Sequence, residues 1–368
     1  MKKDRKKILV VFGTRPEAIK MSPLVHELKK RDAIDVKVCV TGQHREMLDQ
    51  VLEAFGITPD FDFSIMKKNQ DLFDITIEVM KKMKELLMDL QPDLVLVHGD
   101  TTTAFISAYS AFYLKIPVGH VEAGLRTNNI YSPFPEEINR QSIGLVASYN
   151  FAPTQTAKEN LLNEGKDQSK IFVTGNTVID ALKHTVRSDY SHELLDWVGD
   201  DKLILITAHR RENIGNAMEN MFSAINDVVN SNKNVKAIYP IHLNPKVREL
   251  ANTIFKGNER IKLVEPLDVL DFHNFMGKSY LILTDSGGIQ EEASSLGKPV
   301  LVMRDTTERP EGIKAGTLRL VGTSRELIYE SCCQLLEDID AYESMSKASN
   351  PYGDGSASKK IADIIQNI

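Results

Sequence analysis

Short β-branched runs alternate with longer amphipathic stretches along most of this chain, and that alternation restricts its fold more than any other feature. A strand followed by a helical crossover returns as a parallel neighbour, so the pattern specifies βα units on parallel sheets. In the first half the strand-like runs are residues 8–12, 36–40, 94–98, 118–121 and 171–173. The rhythm lapses over residues 185–201, where polar residues gather. It restarts at 203–207 (LILIT) and continues through 235–239, 261–264, 280–283 and 300–303. A length of 368 residues exceeds what one core of roughly 100 to 200 residues needs. The expected fold class is therefore α/β, with two Rossmann-like doubly wound domains, 1–184 and 202–352, and a cleft between them. After the turn-rich segment 350–358 (NPYGDGSAS), a last amphipathic helix within 353–368 caps the second domain or crosses back to the first.

Charge narrows the partners. With 45 Lys+Arg against 51 Asp+Glu the formal net charge is −6, which argues against a broad nucleic-acid or anionic-membrane surface and makes any phosphate recognition local. The start carries Lys2, Lys3, Arg5, Lys6 and Lys7, but the apolar run behind it stops at Gly13, too soon for an export signal. No stretch approaches the roughly 18 apolar residues of a membrane span. Cys39, Cys332 and Cys333 are odd in number and lack CxxC spacing, so they read as packing residues of a cytoplasmic protein. The nine histidines are scattered, without an HExxH word, and no metal site is expected.

In open parallel sheets ligands sit at the carboxyl ends of strands, and polar clusters follow the strands here. FGTRPEAIK (12–20) places Gly13 in a turn, Thr14 as a cap, Pro16 at the helix start and Arg15 at the mouth of the cleft; it equally suits an ordinary βα turn, and it is neither a Walker loop nor GxGxxG. VHGDTTTA (97–104) sets Asp100 beyond a strand, as a helix N-cap or a site carboxylate, with His98 as a satisfied core histidine. GHVEAGLRT (119–127) ends an apolar strand on Glu122, where an unpaired carboxylate is costly, with Arg126 just beyond. SPFPEEINR (132–140) delivers Glu136 and Glu137 to a helix start, where the helix dipole alone would also favour them. Asp100, Glu122 and Glu136 brought close would split their pKa values into acid and base near neutrality.

In the second series TAHRREN (207–213) offers His209, Arg210 and Arg211 to an anion or a carboxylate. TDSGGIQEE (284–292) is the strongest phosphate signal: Ser286, Gly287 and Gly288 allow backbone N–H groups to approach an oxyanion at a helix N-terminus. Glu292, four residues beyond Gly288, lies on the same helical face and suits ribose hydroxyls. VMRDTTERPEG (302–312) adds Arg304, Arg309 and Glu311, as ligand contacts or a solvated loop.

Taken together, FGTRPEAIKM, HGDTTT, GHVEAGLRT, SPFPEE, GNTVIDAL, HRREN, TDSGGIQEE, RDTTERPE and NPYGDG closely resemble the non-hydrolysing UDP-N-acetylglucosamine 2-epimerases, from about residue 8 to the C-terminal helix. The resemblance implies a glycosyltransferase-B-like pair of domains, commonly a homodimer, that interconverts UDP-GlcNAc and UDP-ManNAc in the interdomain cleft without nicotinamide or metal. It implies elimination of UDP to a 2-acetamidoglucal and re-addition, supplying ManNAc units for cell-surface polysaccharide.

By the same resemblance Asp100, Glu122, Glu136 and His209 are catalytic. Arg15, Ser286, Gly287 and Gly288 meet the departing diphosphate, Arg309 assists the diphosphate or sugar, Lys20 is a further substrate-site position, Glu292 holds ribose, and the loop from Pro266 to Phe272 meets uracil. Gln43, His44, Arg210 and His242 resemble the pocket in which bacterial members bind a second UDP-GlcNAc as activator, whereas Glu46 and Asn69 depart from that pattern. The rival readings are a glycosyltransferase of the same fold, a hydrolysing epimerase and a non-catalytic UDP-sugar sensor.

Overall fold

The computed structural model describes residues 5–42, 45–67, 70–307 and 309–368, and their side chains except at 45–47 and 211. The chain divides into two compact units, Met1–His184 with Tyr352–Ile368, and Thr185–Pro351.

The first unit runs β1 (Lys6–Phe12), α1 (Arg15–Lys29), β2 (Ile34–Val40), α2 (Arg45–Ala54), β3 (Phe61–Asp62), α3 (Leu72–Leu90), β4 (Leu94–His98), α4 (Thr102–Tyr113), β5 (Val118–Val121), α5 (Glu136–Val146), β6 (Tyr149–Ala152), α6 (Gln155–Asn163), β7 (Ile171–Val173) and α7 (Thr177–Thr185). Its strands pair in parallel in the order β3-β2-β1-β4-β5-β6-β7. Helices cover both faces, so β1 is apolar without alternation, and residues 8–12 have no exposed surface. Helix α1 shows the complementary pattern: Met21, Leu24, Val25 and Leu28 recur at helical spacing and are all fully buried.

The second unit runs α8 (Glu193–Val198), β8 (Lys202–Thr207), α9 (Asn216–Ser231), β9 (Val235–Pro240), α10 (Pro245–Ile254), β10 (Ile261–Val264), α11 (Val269–Lys278), β11 (Leu281–Thr284), α12 (Gly287–Ser295), β12 (Val300–Val302), α13 (Pro310–Ala315), β13 (Leu318–Leu320), α14 (Arg325–Glu337) and α15 (Ile339–Ser346). Its parallel order is β10-β9-β8-β11-β12-β13. The final helix, α16 (Ala357–Asn367), packs against α1 of the first unit, burying Ile361, Ala362 and Ile365.

In both sheets the strand order reverses beside the first strand: at β1/β4 in one and at β8/β11 in the other. In an open parallel sheet such a reversal, at the carboxyl ends of the strands, is the usual ligand position.

The two Rossmann-like domains follow from the alternation, but some elements escape it. Strand β6 reads Tyr-Asn-Phe-Ala, with Asn150 buried at its centre, and β13 carries Arg319; both lack the β-branched signal. The polar segment 185–201 is not a bare linker, because Leu194, Leu195 and Trp197 of α8 pack onto the second core, so that unit begins at Thr185 rather than at 202. Helix α16 starts at Ala357, inside the segment 350–358 that reads as a turn. The Asp180 carboxylate on α7 accepts from the Ala357 and Ser358 backbone N–H groups at 3.2 and 2.8 Å, a cap supplied from far along the chain. Among the described residues no helix is long and apolar enough to cross a membrane.

Replacing Asp180 with Ala should therefore weaken the first unit by about 1–2 kcal/mol, the usual value of an N-cap acceptor. A fall in the denaturant midpoint and faster amide exchange confined to the start of α16 would register it.

Candidate active site

At the switch point of the first sheet the chain leaves β1 through Gly13. A Cβ there would stand 2.1 Å from Thr41 Oγ1 and 2.6 Å from Thr103 Oγ1, so only glycine fits this approach of β1 to its neighbours. The turn is fixed by Glu17. Its Oε2 accepts from the Gly13 N–H (3.0 Å), the Thr14 N–H (2.8 Å) and the Thr14 hydroxyl (2.8 Å), while Oε1 accepts from Thr101 Oγ1 at 2.6 Å. Burial pushes the Glu17 carboxyl pKa up, against the opposing pull of those four donors. One side chain thus ties the turn bearing Arg15 to the loop bearing Asp100. Its place three residues after Thr14 at a helix start is the capping-box signal, although nothing local points to Thr101 as its further partner.

Asp100 is not a helix cap. Thr101 holds that position, accepting from the Ala104 N–H at 3.0 Å. The Asp100 carboxylate instead accepts from Arg140 Nε at 2.8 Å, and Arg140 also donates to Glu137 Oε2 at 2.9 Å. Glu137 has no exposed surface and accepts from the Thr127 and Asn128 N–H groups, both at 3.1 Å, and from Gln141 at 3.0 Å. Burial alone would raise its pKa, but the combined donors hold it below the usual carboxylate value. Glu137 is thus a structural clasp, while Glu136 is half-buried as the first residue of α5.

Glu122 follows β5 with φ +64°, a left-handed conformation unusual for a side chain of its kind. Its Oε2 is paired with Lys20 of α1 and accepts from Asn176 Nδ2 at 2.8 Å. Lys20, which alone would read as a solvated lysine, is brought to the carboxylate by one turn of α1. Asn176 lies in the GNTVIDAL word, where nothing local marks it as a partner of that carboxylate. His98 Nε2 stands 3.7 Å from the same oxygen, is buried, and has no hydrogen-bond partner among the described residues, so His98 is not the satisfied core histidine expected. Burial lowers its pKa to about 3, keeping it neutral, and lowers that of His120 to about 4. Arg126 is spent elsewhere, in a two-bond pair with Glu164.

The second unit repeats the arrangement at β8/β11. Asp285, the residue after β11, has no exposed surface and accepts from the N–H groups of His209 (3.0 Å) and Arg210 (2.9 Å) and from Asn213 Nδ2 (3.2 Å). Tyr239 below donates its hydroxyl to the Ala208 carbonyl at 2.5 Å. The His209 ring stacks on His242, with centroids 5.7 Å apart.

Ser286 caps α12 without bonding its own helix through its hydroxyl, and Gly287 and Gly288 follow with partly open backbone. A Cβ on Gly288 would meet Glu292 Oε1 at 3.8 Å, which sets that carboxylate over the turn. Glu292 Oε2 lies 3.5 Å from His273 Nε2, and His273 Nδ1 is 2.7 Å from Thr185 Oγ1. Arg309 pairs with the buried Glu291, a partner that the run of two glutamates did not disclose. Arg304 meets Glu212 at 3.8 Å. Pro266 is exposed, and Phe272 packs partly buried on the second core. Of the activator-pocket residues, Arg210 and His242 adjoin His209. Gln43, His44 and Asn69 lie outside the described residues, as do the side chains of Glu46 and Arg211.

Each sheet therefore carries polar side chains at its own switch point: carboxylates with fixed basic partners in the first, a glycine-rich helix start with a histidine in the second. Residues 26–366 match the family model described as UDP-N-acetylglucosamine 2-epimerase. A Bacillus subtilis UDP-N-acetylglucosamine 2-epimerase is 62% identical, over 97% of this chain and 94% of its own. The structure of a Neisseria meningitidis UDP-GlcNAc 2-epimerase bound to UDP-GlcNAc superposes with a TM-score of 0.91 at 49% identity, over 98% of this chain and 100% of that one. A UDP co-structure from S. aureus gives 0.91 at 53% identity, over 98% and 96%. With the family pattern spanning both units and the close relatives matched nearly end to end, this chain belongs to the UDP-N-acetylglucosamine 2-epimerase family.

Proposed function

We propose that this chain interconverts UDP-N-acetylglucosamine and UDP-N-acetylmannosamine at C2 without releasing free sugar, by eliminating UDP and adding it back. The observation that carries this reading is the pair of carboxylates at one switch point, Asp100 held by Arg140 and Glu122 held by Lys20 and Asn176. A C2 proton with no neighbouring carbonyl is not acidic, so it leaves only as the bond from C1 to the UDP oxygen lengthens. One carboxylate takes that proton, the electron pair becomes the C1–C2 double bond of a 2-acetamidoglucal, and the C1–O pair departs with UDP. Return of a proton to the opposite face of C2, with the phosphate oxygen adding to C1, gives the epimer.

Asp100 and Glu122 are assigned to the two faces of C2, with Glu136 assisting. Departing diphosphate is assigned to Arg15, His209, Arg309 and the N-terminus of α12 at Ser286, Gly287 and Gly288, and Lys20 to the substrate site; ribose is assigned to Glu292 and uracil to the segment from Pro266 to Phe272, which runs into α11. The UDP-GlcNAc and UDP bound to the Neisseria and S. aureus proteins support this choice of ligand. Arg210 and His242 are assigned to an activator pocket with Gln43 and His44. Unpaired Cys39 and Cys332 suit a cytoplasmic enzyme, and its product is assigned to cell-surface polysaccharide.

The protein is further assigned as a homodimer. Helices α3, α4 and α5 pack side by side and leave Phe73, Ile77, Phe112, Tyr113 and Leu145 more than half exposed, an apolar face that a monomer would hold in water.

Incubation with UDP-GlcNAc in heavy water, without added cofactor, should yield UDP-ManNAc and deuterium at C2 by NMR. Folded enzyme that leaves C2 protonated would overturn the reading; sugar transfer to an acceptor or release of free ManNAc would favour its rivals. Asp100→Asn and Glu122→Gln should each abolish C2 exchange while UDP still binds in calorimetry, whereas loss of UDP binding would make those side chains structural. Light scattering should give a mass near twice that of one chain, falling towards one chain in a Tyr113→Glu, Leu145→Glu variant. A monomeric wild type would refute the dimer assignment.

A further inference from the structure

We propose that Asp285 is a positioning residue for His209: its buried carboxylate fixes the turn after β8 and faces Nδ1 of the imidazole, leaving Nε2 as the nitrogen presented to the diphosphate. The inference rests on the function proposed above, and it concerns a residue whose side chain needs no contact with substrate.

Three observations carry it. First, Asp285 sits where the second sheet reverses: its own N–H donates to the Thr207 carbonyl at 3.0 Å, and its two oxygens reach back to the residues following β8. The donors it receives, the His209 and Arg210 N–H groups and the Asn213 amide, are uncharged and leave its negative charge unneutralised. Second, His209 Nδ1 lies 3.4 Å from Asp285 Oδ1, within ion-pair reach but longer than a formed hydrogen bond, so a small ring rotation closes it. Third, the two partners differ sharply in access: the His209 side chain is 40% exposed and that of Asp285 is 0% exposed. The ring therefore faces a fully buried carboxylate through Nδ1 while keeping exposed surface of its own.

A carboxylate behind one imidazole nitrogen selects the tautomer with its proton on that nitrogen and stabilises the imidazolium that forms when the other takes a proton. The other groups acting on His209 set the resting state. Burial lowers its pKa below the ordinary histidine value, Asp285 opposes this, His242 and Arg210 add to the lowering, and Glu212 opposes it. The balance keeps the free enzyme's ring neutral around pH 7. A bound diphosphate adds negative charge on the open side, so Nε2 takes a proton from solvent, hydrogen-bonds the phosphate, and returns the proton to solvent when UDP dissociates. Asp285 makes that protonation accessible near neutral pH.

The test is NMR of the full-length protein labelled with nitrogen-15 in histidine, titrated with and without UDP, alongside steady-state kinetics. Wild type should show neutral His209 protonated on Nδ1, with a midpoint that rises when UDP binds. Asp285→Asn should lower that midpoint in both states, move the alkaline limb of the kcat profile to lower pH, and reduce kcat about ten- to a hundred-fold with a smaller change in KM. An unchanged midpoint in folded Asp285→Asn, or a wild-type ring protonated on Nε2, would overturn the proposal. The wild-type tautomer decides it even if the variant fails to fold. Absence of C2 exchange in wild type refutes the proposed reaction instead, and the histidine titration keeps the two failures apart.

Discussion

Where parallel strands end, the N–H groups of the following loop have no further strand to receive them, and the candidate-site loops of this protein are held by buried carboxylates that do. Glu17 receives Gly13 and Thr14, Glu137 receives Thr127 and Asn128, and Asp285 receives His209 and Arg210. Burying a carboxylate costs several kcal/mol unless it is compensated, and each hydrogen bond to a charged group returns about 1.5–3 kcal/mol. The backbone donors are equally dependent, since buried N–H groups without acceptors carry their own penalty. The loops are consequently rigid in conformations that their own backbones would not select.

That rigidity is what permits Glu122. A left-handed backbone at a residue with a long side chain costs of order 1–3 kcal/mol and persists only when its surroundings over-determine it. Here β5 fixes the preceding residues, and Lys20 and Asn176 converge on one carboxylate oxygen from α1 and from the start of α7. Asn176 is in turn anchored through its own N–H to the Tyr352 carbonyl at 2.8 Å. Tyr352 is almost fully buried against Val178 and Ile179, at the point where the chain re-enters the first unit to form α16. The C-terminal segment thus does more than cover α1: it braces a partner of a candidate catalytic carboxylate.

Much of this was legible in the residues. The two-fold repeat of βα rhythm specifies both sheets because buried parallel strands must be continuously apolar, as residues 8–12 and 203–206 are. The polar words after those strands name Asp100, Glu122, His209 and the 286–288 turn because only loops at carboxyl ends have reason to carry such residues. What stayed hidden was pairing at long sequence separation. Nothing local distinguishes Arg140 as the partner of Asp100, Asn176 as a partner of Glu122, or Asp180 as the cap of α16, since each bond joins segments tens of residues or more apart. Asp100 reads as a cap until Thr101 is seen in that role, and nothing local shows that Arg126, just beyond Glu122, is occupied by Glu164. Strands β6 and β13 were invisible for a different reason: a buried asparagine and an arginine interrupt signals only three or four residues long.

The two Glu-Glu pairs show why neighbouring residues of one type separate into different roles. On a helix, consecutive side chains point about 100° apart, so one of two adjacent glutamates can face the interior while the other faces the strand ends. In α5 the buried member is Glu137, which clasps loop N–H groups and Arg140, and Glu136 stays partly exposed at the helix start. In α12 the order is reversed: Glu291 is buried on Arg309, and Glu292 remains partly exposed over Gly288. Sequence supplies two carboxylates at each place, and the helix phase decides which is structural. The same separation holds beyond the pairs, with Glu17 and Asp285 buried and satisfied while Asp100 stays partly exposed. Deeply buried acids hold the loops, and their neighbours at the strand ends stay partly exposed.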